Sequence, residues 1–353
     1  MLSEYPVSYI FSGFVLSYLC FPLFIKVLGE KKFFDKPDSR KIHQTETVSL
    51  GGILILLCAI IPLLFFFPLN ELGHRKYFFS AVLIMFIVGL RDDILPLRPI
   101  YKLFSQLIPC VVIFFAYDVR LNSLYTLAPM IEFPLLVSFV ITCLTIVIIT
   151  NSYNLIDGVD GLASTLGAVS LGAFSLYFYL TGDTSFSYIL LTFIGSILGF
   201  LVFNWSPARV FMGDTGALLI GFLLAVASIL FINSNFNHEH SYFRATISTA
   251  LCFIGIPIFD TLRIIIVRLL KGKSPLSADN DHIHHVLQKK GLSHARVTLL
   301  LGSIQLILVA IPLLGRSWNE WQFMSLLSGM FLVGYFILWR LSGIKSETEE
   351  PGI

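Results

Sequence analysis

Eleven apolar runs divide this sequence, centred on residues 7–28, 50–68, 77–90, 103–118, 133–150, 162–180, 187–204, 216–233, 245–267, 297–314 and 321–340. A bilayer core ~30 Å thick takes roughly 20 apolar residues per crossing helix. The expected fold class is therefore an all-α polytopic membrane protein with about eleven transmembrane helices. The third run is short and needs another turn. With 56% hydrophobic and 13% charged residues among 353, and a mean hydropathy of +0.82, a soluble globular domain is excluded. The first run is too long, and too weakly flanked by basic residues, for a cleaved signal peptide. Residues 1–341 are expected to form a single integral-membrane domain. The tail 342–353, with Glu347, Glu349 and Glu350, is expected to be disordered.

Basic residues orient the spans, because cytoplasmic loops carry the excess of Lys and Arg. Seventeen of the 24 fall in one set of alternate connections and in the tail. Five, Arg75, Lys76, Arg120, Arg244 and Arg316, fall in the other, while Lys26 and Arg263 lie within spans. This places the N-terminus outside and the C-terminus in the cytoplasm. No basic block carries interleaved aromatics, so nucleic acid is not an expected partner. Cys20, Cys58, Cys110, Cys143 and Cys252 all lie inside apolar runs without CxxC spacing, and read as small buried hydrophobes.

The unusual polar residues gather in the cytoplasmic loops. The knot Asn151-Ser152-Tyr153-Asn154-Leu155-Ile156-Asp157-Gly158-Val159-Asp160-Gly161 sits between two long apolar runs. Carboxylates at a membrane edge must bind a cation, face water or meet a ligand. Asp38, Arg40, Lys41 and His43 lie in the first cytoplasmic loop, which ends at Gly51-Gly52. Asp92-Asp93 and Lys102 lie in the second, Phe211-Met212-Gly213-Asp214-Thr215-Gly216 closes the fourth, and His282, His284 and His285 lie in the fifth. Two adjacent aspartates do not both ionise readily without a nearby cation, and carboxylate and amide oxygens suit Mg²⁺ bridging to phosphates. Asp92, Asp93, Asn154, Asp157 and Asp214 thus read as a metal–phosphate centre. Gly158, Gly161, Gly213 and Gly216 allow close backbone approach to a ligand, and Lys102, Arg209 and the basic fifth loop could neutralise a pyrophosphate.

Each element has a plainer reading. Asp92-Asp93 alone could cap a helix, and Gly213-Asp214-Thr215-Gly216 alone could be a turn. The histidines could suggest zinc, but no HExxH pattern or neighbouring cysteine accompanies them. The joint occurrence of these elements on one membrane face favours a phosphate site.

Together the motifs resemble the polyprenyl-phosphate N-acetylhexosamine-1-phosphate transferases, the membrane family of the WecA-type and TagO-type initiators and the MraY translocase. The matching residues are GxxDD at Gly89 to Asp93 with Lys102 nine residues later, NxxNxxDGxDGL at Asn151 to Leu162, FMGDTG at Phe211 to Gly216, PxxDT at Pro257 to Thr261 and HxHH at His282 to His285. The resemblance implies transfer of a HexNAc-1-phosphate from a UDP-N-acetylhexosamine to undecaprenyl phosphate, with release of UMP, in the bacterial cytoplasmic membrane. It implies Mg²⁺ as cofactor, with Mn²⁺ as a second candidate, held by Asp214 and Asn154. Asp160, Asn151 and Gly161 are expected at the nucleotide. Lys102, His282, His284, His285 and Arg209 are expected at the pyrophosphate or sugar. Asp92 and Asp93 are expected beside the lipid phosphate, with Asp157 in support. A homodimer is compatible with this reading.

HxHH resembles the WecA-type and TagO-type branch rather than MraY, which implies UDP-GlcNAc over a UDP-muramoyl-pentapeptide. Glu46 and Val48 stand where the family's first-loop pattern RKxHxxPxPxxGG has prolines, and Ala217 replaces a common serine. A transporter is the rival from another class, since Asp260 and Arg263 lie within the ninth run. They are three residues apart, on one helical face where they can pair. A transporter places its polar site near the midplane, in repeats; here the polar residues cluster at one face.

Overall fold

The computed structural model describes residues 5–30, 49–68, 71–237, 242–270, 272, 274 and 281–342. The expectations for Asp38, Arg40, Lys41 and His43, and for the tail beyond Ser342, lie outside these residues. Among the described residues the protein is helical, with one isolated antiparallel bridge between Ser123 and Glu132.

All eleven apolar runs are helical. They form α1 (Pro6–Glu30), α2 (Gly51–Phe66), α3 (Arg75–Ile94), α4 (Pro99–Val111, continued by a π turn, Val112–Ala116), α5 (Leu135–Ile156), α6 (Leu162–Leu180), α7 (Thr184–Asn204), α8 (Gly213–Asn237), α9 (Thr246–Phe253), α10 (Gly255–Leu270), α12 (His294–Leu314) and α13 (Glu320–Ser342), with a short helix, α11 (Ile283–Lys289), between α10 and α12. Eight are long and apolar enough to cross a membrane, counting α4 with its π turn, or up to nine if α9 and α10 form one span. The protein is thus a multi-pass membrane protein. Two of the expected eleven stand apart from that set. Helix α2 has 16 residues, and α3 carries Arg75 and Lys76 at one end and Arg91, Asp92 and Asp93 at the other.

Helix α8 is the central post. It is apolar all round, as a helix packed on every side must be, and 94% of its membrane stretch is buried. Helices α2, α3, α5, α6 and α9 pack against it. Small residues bring its neighbours close: a Cβ on Gly52 would lie 2.2 Å from the Gly216 nitrogen, and one on Gly89 2.6 Å from the Thr215 Cα. Helices α1 and α13 are peripheral, only 17% and 11% buried over the same length, and offer their apolar sides to lipid.

The ninth run is two helices. Helices α9 and α10 meet at 92° around Ile254, where Pro257 lies in the first turn of α10 and lacks a donor that this turn does not need. A break inside a bilayer leaves backbone groups without water. Gln305 of α12 serves them: its Nε2 donates to the Cys252 and Phe253 carbonyls (3.1 and 2.9 Å), and its Oε1 accepts from Ile256 N (3.1 Å).

At the end of the bundle away from the polar loops, the Glu320 carboxylate accepts from Ser248 N (2.6 Å), Ser248 Oγ (2.5 Å) and Ile247 N (3.2 Å), and so caps α9 from α13. Arg75 and Asp183 join α3 to the start of α7 at 2.5 Å.

Candidate active site

The site grows from the start of α8. Gly213 sits at φ +72°, and a Cβ there would come within 2.4 Å of the Ser49 carbonyl and 2.7 Å of Asp93, so only glycine fits this turn. The free N–H groups of the first helical turn attract carboxylates. Asp93, at the end of α3, accepts from Asp214 N (2.8 Å), Thr215 N (2.9 Å) and Thr215 Oγ1 (2.5 Å). Gly51 N and Gly52 N donate to the Phe211 and Met212 carbonyls at 3.0 and 2.9 Å. The start of α2 is thus fastened to the FMGD turn.

Adjacent residues on a helix point ~100° apart, and the aspartate pair divides accordingly. Asp92, 7% exposed, leaves the backbone of α8 to Asp93 and turns to Lys102. Its Oδ1 accepts from Leu97 N at 2.7 Å, and its Oδ2 pairs with Lys102 Nζ at 2.8 Å. Lys102 comes from the first turn of α4. Its ammonium also donates to Asp214 Oδ1 (2.7 Å) and Asn154 Oδ1 (3.1 Å), and Asn154 Nδ2 donates to Asp214 Oδ1 at 2.5 Å. Oxygens from α3, α5 and α8 therefore converge on one point. Asp157 follows at the C-terminal end of α5. Burial, then the neighbouring Asp214, Asp93 and Asp160 carboxylates, hold its carboxyl well above the usual range.

Asp92 and Asp214 pair with one ammonium between them, which leaves a surplus of negative charge that a bound cation would neutralise. Among the described residues no three His, Cys, Asp or Glu side chains are gathered tightly enough to hold a metal on their own. The oxygens of Asp92, Asn154 and Asp214 are nevertheless hard donors of the type Mg²⁺ takes when waters and substrate phosphates complete its shell. The donor set fits that group.

The histidines have separate duties. Asp260 of α10, 2% exposed, takes Arg263 Nη2 (3.0 Å), His282 Nδ1 (2.8 Å) and Ile283 N (2.9 Å), and Arg263 also donates to the Asp281 carbonyl. The pairing of Asp260 with Arg263 is as the sequence suggests, and it anchors α11 on α10. His282 therefore positions the loop. His284, 1% exposed, has no hydrogen-bond partner on either ring nitrogen. It lies against the knot, where a Cβ on Gly158 would come within 2.5 Å of its Nε2. Burial, with His285 adding to it, lowers its pKa to about 3, so the ring is neutral at physiological pH. Burial, with help from His282 and Lys289, also lowers that of His285.

The residues expected at the nucleotide mostly hold the knot together. Asn151 and Gln106 exchange amide hydrogen bonds (2.7 and 3.3 Å), and Asn151 also donates to the Val147 carbonyl. Asp160 accepts from Ala208 N at 3.3 Å and lies 3.3 Å from His294 Nδ1; Thr298 donates to its carbonyl. Gly161 N donates to Asn204 Oδ1 at 3.0 Å. The Arg209 guanidinium lies 4.9 Å over the Phe203 ring and is not drawn into the Lys102 cluster. Asn204 and His294 escape a sequence reading: a lone Asn at a span's end and a His in a loop look ordinary. Gln305, a single amide within an apolar run, could have been flagged.

The sequence pattern of glycosyl transferase family 4 matches residues 76–232. Over 320 residues the chain is 31% identical to the probable undecaprenyl-phosphate N-acetylglucosaminyl 1-phosphate transferase of Bacillus subtilis (strain 168), covering 90% of this chain and 86% of that protein. The chain belongs to glycosyl transferase family 4. The undecaprenyl-phosphate alpha-N-acetylglucosaminyl 1-phosphate transferase of Yersinia pestis is 29% identical over 321 residues, 87% of this chain and 85% of that one. The phospho-N-acetylmuramoyl-pentapeptide-transferase of Streptococcus thermophilus (strain CNRZ 1066) is 34% identical over 237 residues, 62% of this chain and 70% of that one. The family 4 match takes in Asp92, Lys102, Asn154, Asp157 and Asp214, the residues gathered at the start of α8.

Proposed function

We propose that this family 4 chain transfers a HexNAc-1-phosphate, GlcNAc-1-phosphate by preference, from a UDP-sugar to undecaprenyl phosphate. The observation that carries the reading is the convergence of Asp92, Asn154 and Asp214 on Lys102 at one end of the bundle. Phosphoryl transfer needs mainly positioning and charge neutralisation, and this cluster offers both. A phosphate oxygen of the lipid attacks the sugar-bearing β-phosphorus, the bond to the bridging oxygen breaks, and UMP leaves with that oxygen. The lipid phosphate is already largely ionised near neutrality, so Asp92 and Asp93 need not remove a proton. Asp92 orients Lys102, Lys102 meets the diphosphate charge, and Asp93 fixes the start of α8 so that Asp214 keeps its place. Asp214 and Asn154 would hold Mg²⁺, or Mn²⁺ in its stead, which supplies neutralisation of the transferring phosphates when bound. Neutral His284 offers one donor and one acceptor to the sugar nucleotide.

The basic-residue bias supports a site facing the cytoplasm of a bacterial cell, with the N-terminus outside, where soluble nucleotide meets lipid phosphate. The longer matches to N-acetylglucosaminyl transferases support UDP-GlcNAc as donor. The match to a muramoyl-pentapeptide transferase keeps that donor, UDP-GalNAc and deoxy-amino sugars as the second reading.

The test is UMP release by purified protein in detergent with Mg²⁺, undecaprenyl phosphate and a panel of UDP-sugars, the lipid product weighed by mass spectrometry. Release that depends on lipid, metal and UDP-GlcNAc is expected. Release with another sugar alone would replace the donor. No release with any sugar from folded protein would remove the transferase reading and reopen transport.

A further inference from the structure

The ammonium of Lys102 stands where three oxygens from three helices meet, 2.7 Å from Asp214, 2.8 Å from Asp92 and 3.1 Å from Asn154. Those are the oxygens that a divalent cation would use. Mg²⁺ needs its ligands at 2.0–2.1 Å, so ammonium and metal cannot share the point. We propose that Lys102 is an exchangeable occupant of the metal position, a built-in cation that competes with the divalent ion and moves to the substrate diphosphate when displaced. The proposal rests on the metal centre of the transferase reading and extends it to how that centre is filled.

Three features favour exchange over a fixed ion pair. Lysine is a point charge on a flexible four-carbon stem, so its head can leave the cage while α4 stays seated. The cage keeps its shape without it. Asp92 remains held by Leu97 N, Asn154 still donates to Asp214 Oδ1, and Asp93 holds the backbone of Asp214. The side chain retains 14% exposure and that of Asp214 33%, so the cluster opens towards an incoming ligand. Exchange also makes binding ordered by charge. A metal arriving alone must leave Lys102 without a partner, whereas one arriving with a diphosphate provides that partner. The two ligands then favour each other, and by linkage the coupling is reciprocal.

The test is Mn²⁺ binding to the purified full-length protein in detergent, read by electron paramagnetic resonance without nucleotide. Lys102→Met is expected to bind Mn²⁺ roughly tenfold tighter than the wild type, within the usual range for coupled sites. Lys102→Gln should show the same gain and covers the case in which the Met variant does not fold, because its amide can still donate to the carboxylates. Arg91→Met is the control for charge acting at a distance. Arg91 precedes Asp92, but its guanidinium bonds to the Leu95 carbonyl instead of the cage, and its loss should change Mn²⁺ affinity by less than about twofold, as expected for a screened exposed charge. Mg²⁺ should also raise the melting temperature of Lys102→Gln by more than that of the wild type. Unchanged or weaker Mn²⁺ binding by both Lys102 variants would overturn the proposal. So would an equal gain in Arg91→Met, or no binding by any of them. Failure to release UMP with any sugar would count against the transferase reading and leave the outcome of the Mn²⁺ titration standing.

Discussion

At the scale of single residues, neighbours in sequence serve different ends. Asp92 faces Lys102 while Asp93 accepts from the first turn of α8. The motif announces the pair but not the division, because which face each aspartate presents is set by where α3 lies against α8. Asp214 receives Lys102 and Asn154 on one oxygen. Asp214→Ala should lower turnover about a thousandfold, the scale of losing a key electrostatic group, while the melting temperature in detergent stays close to the wild type because Asp93 still caps α8; wild-type turnover would refute the metal assignment. His284 makes a different prediction. In the unfolded chain its ring titrates near 6.5, and in the folded protein near 3. Between those values the unfolded state binds the extra proton, so stability falls as pH drops below about 6.5 and is unaffected above it. His284→Gln should shrink the fall in melting temperature between pH 7.5 and pH 5. An equal fall in both proteins would contradict the neutral-ring assignment. His284→Ala should also raise KM for the UDP-sugar more than for the lipid phosphate; equal effects would argue against a sugar-nucleotide contact.

At the scale of elements, the apolar runs were legible because a bilayer demands them, and every one is helical. The break at Ile254 was not. The run 245–267 reads as one span because Phe253, Ile254, Ile256 and Ile258 are apolar throughout, and only Gly255 and Pro257 hint at a turn. What makes the bend tenable is an amide 49 to 53 residues away in sequence. Gln305→Leu would remove the side-chain partner of the Phe253 carbonyl and of the Ile256 N–H, each costing roughly 1–3 kcal/mol, and should produce a clear fall in melting temperature. An unchanged melting temperature would show that other groups serve the break. The first-loop pattern ending at Gly51-Gly52 stood out by its residues, but its hydrogen bonds to Phe211 and Met212 depend on tertiary contact that no local pattern encodes.

For the molecule as a whole, charge asymmetry gives an orientation that can be tested directly. Lys290 is exposed beyond α11, so Lys290→Cys should react with an impermeant thiol reagent in inside-out vesicles and stay unreacted in intact cells. The reverse would invert the topology. The gathering of distant motifs at one end was legible because each falls in an alternate loop. Their convergence on the start of α8 was not, since helix order in the bundle departs from chain order: α8 contacts α2, α3 and α5. That centrality has a mechanical consequence. The helices with the widest lipid-facing sides, α1 and α13, lie at the rim, while the Lys102 cluster stands at the start of a post that protein packs on its other sides. Stretching or thinning of a surrounding bilayer would meet the rim helices before it met the post.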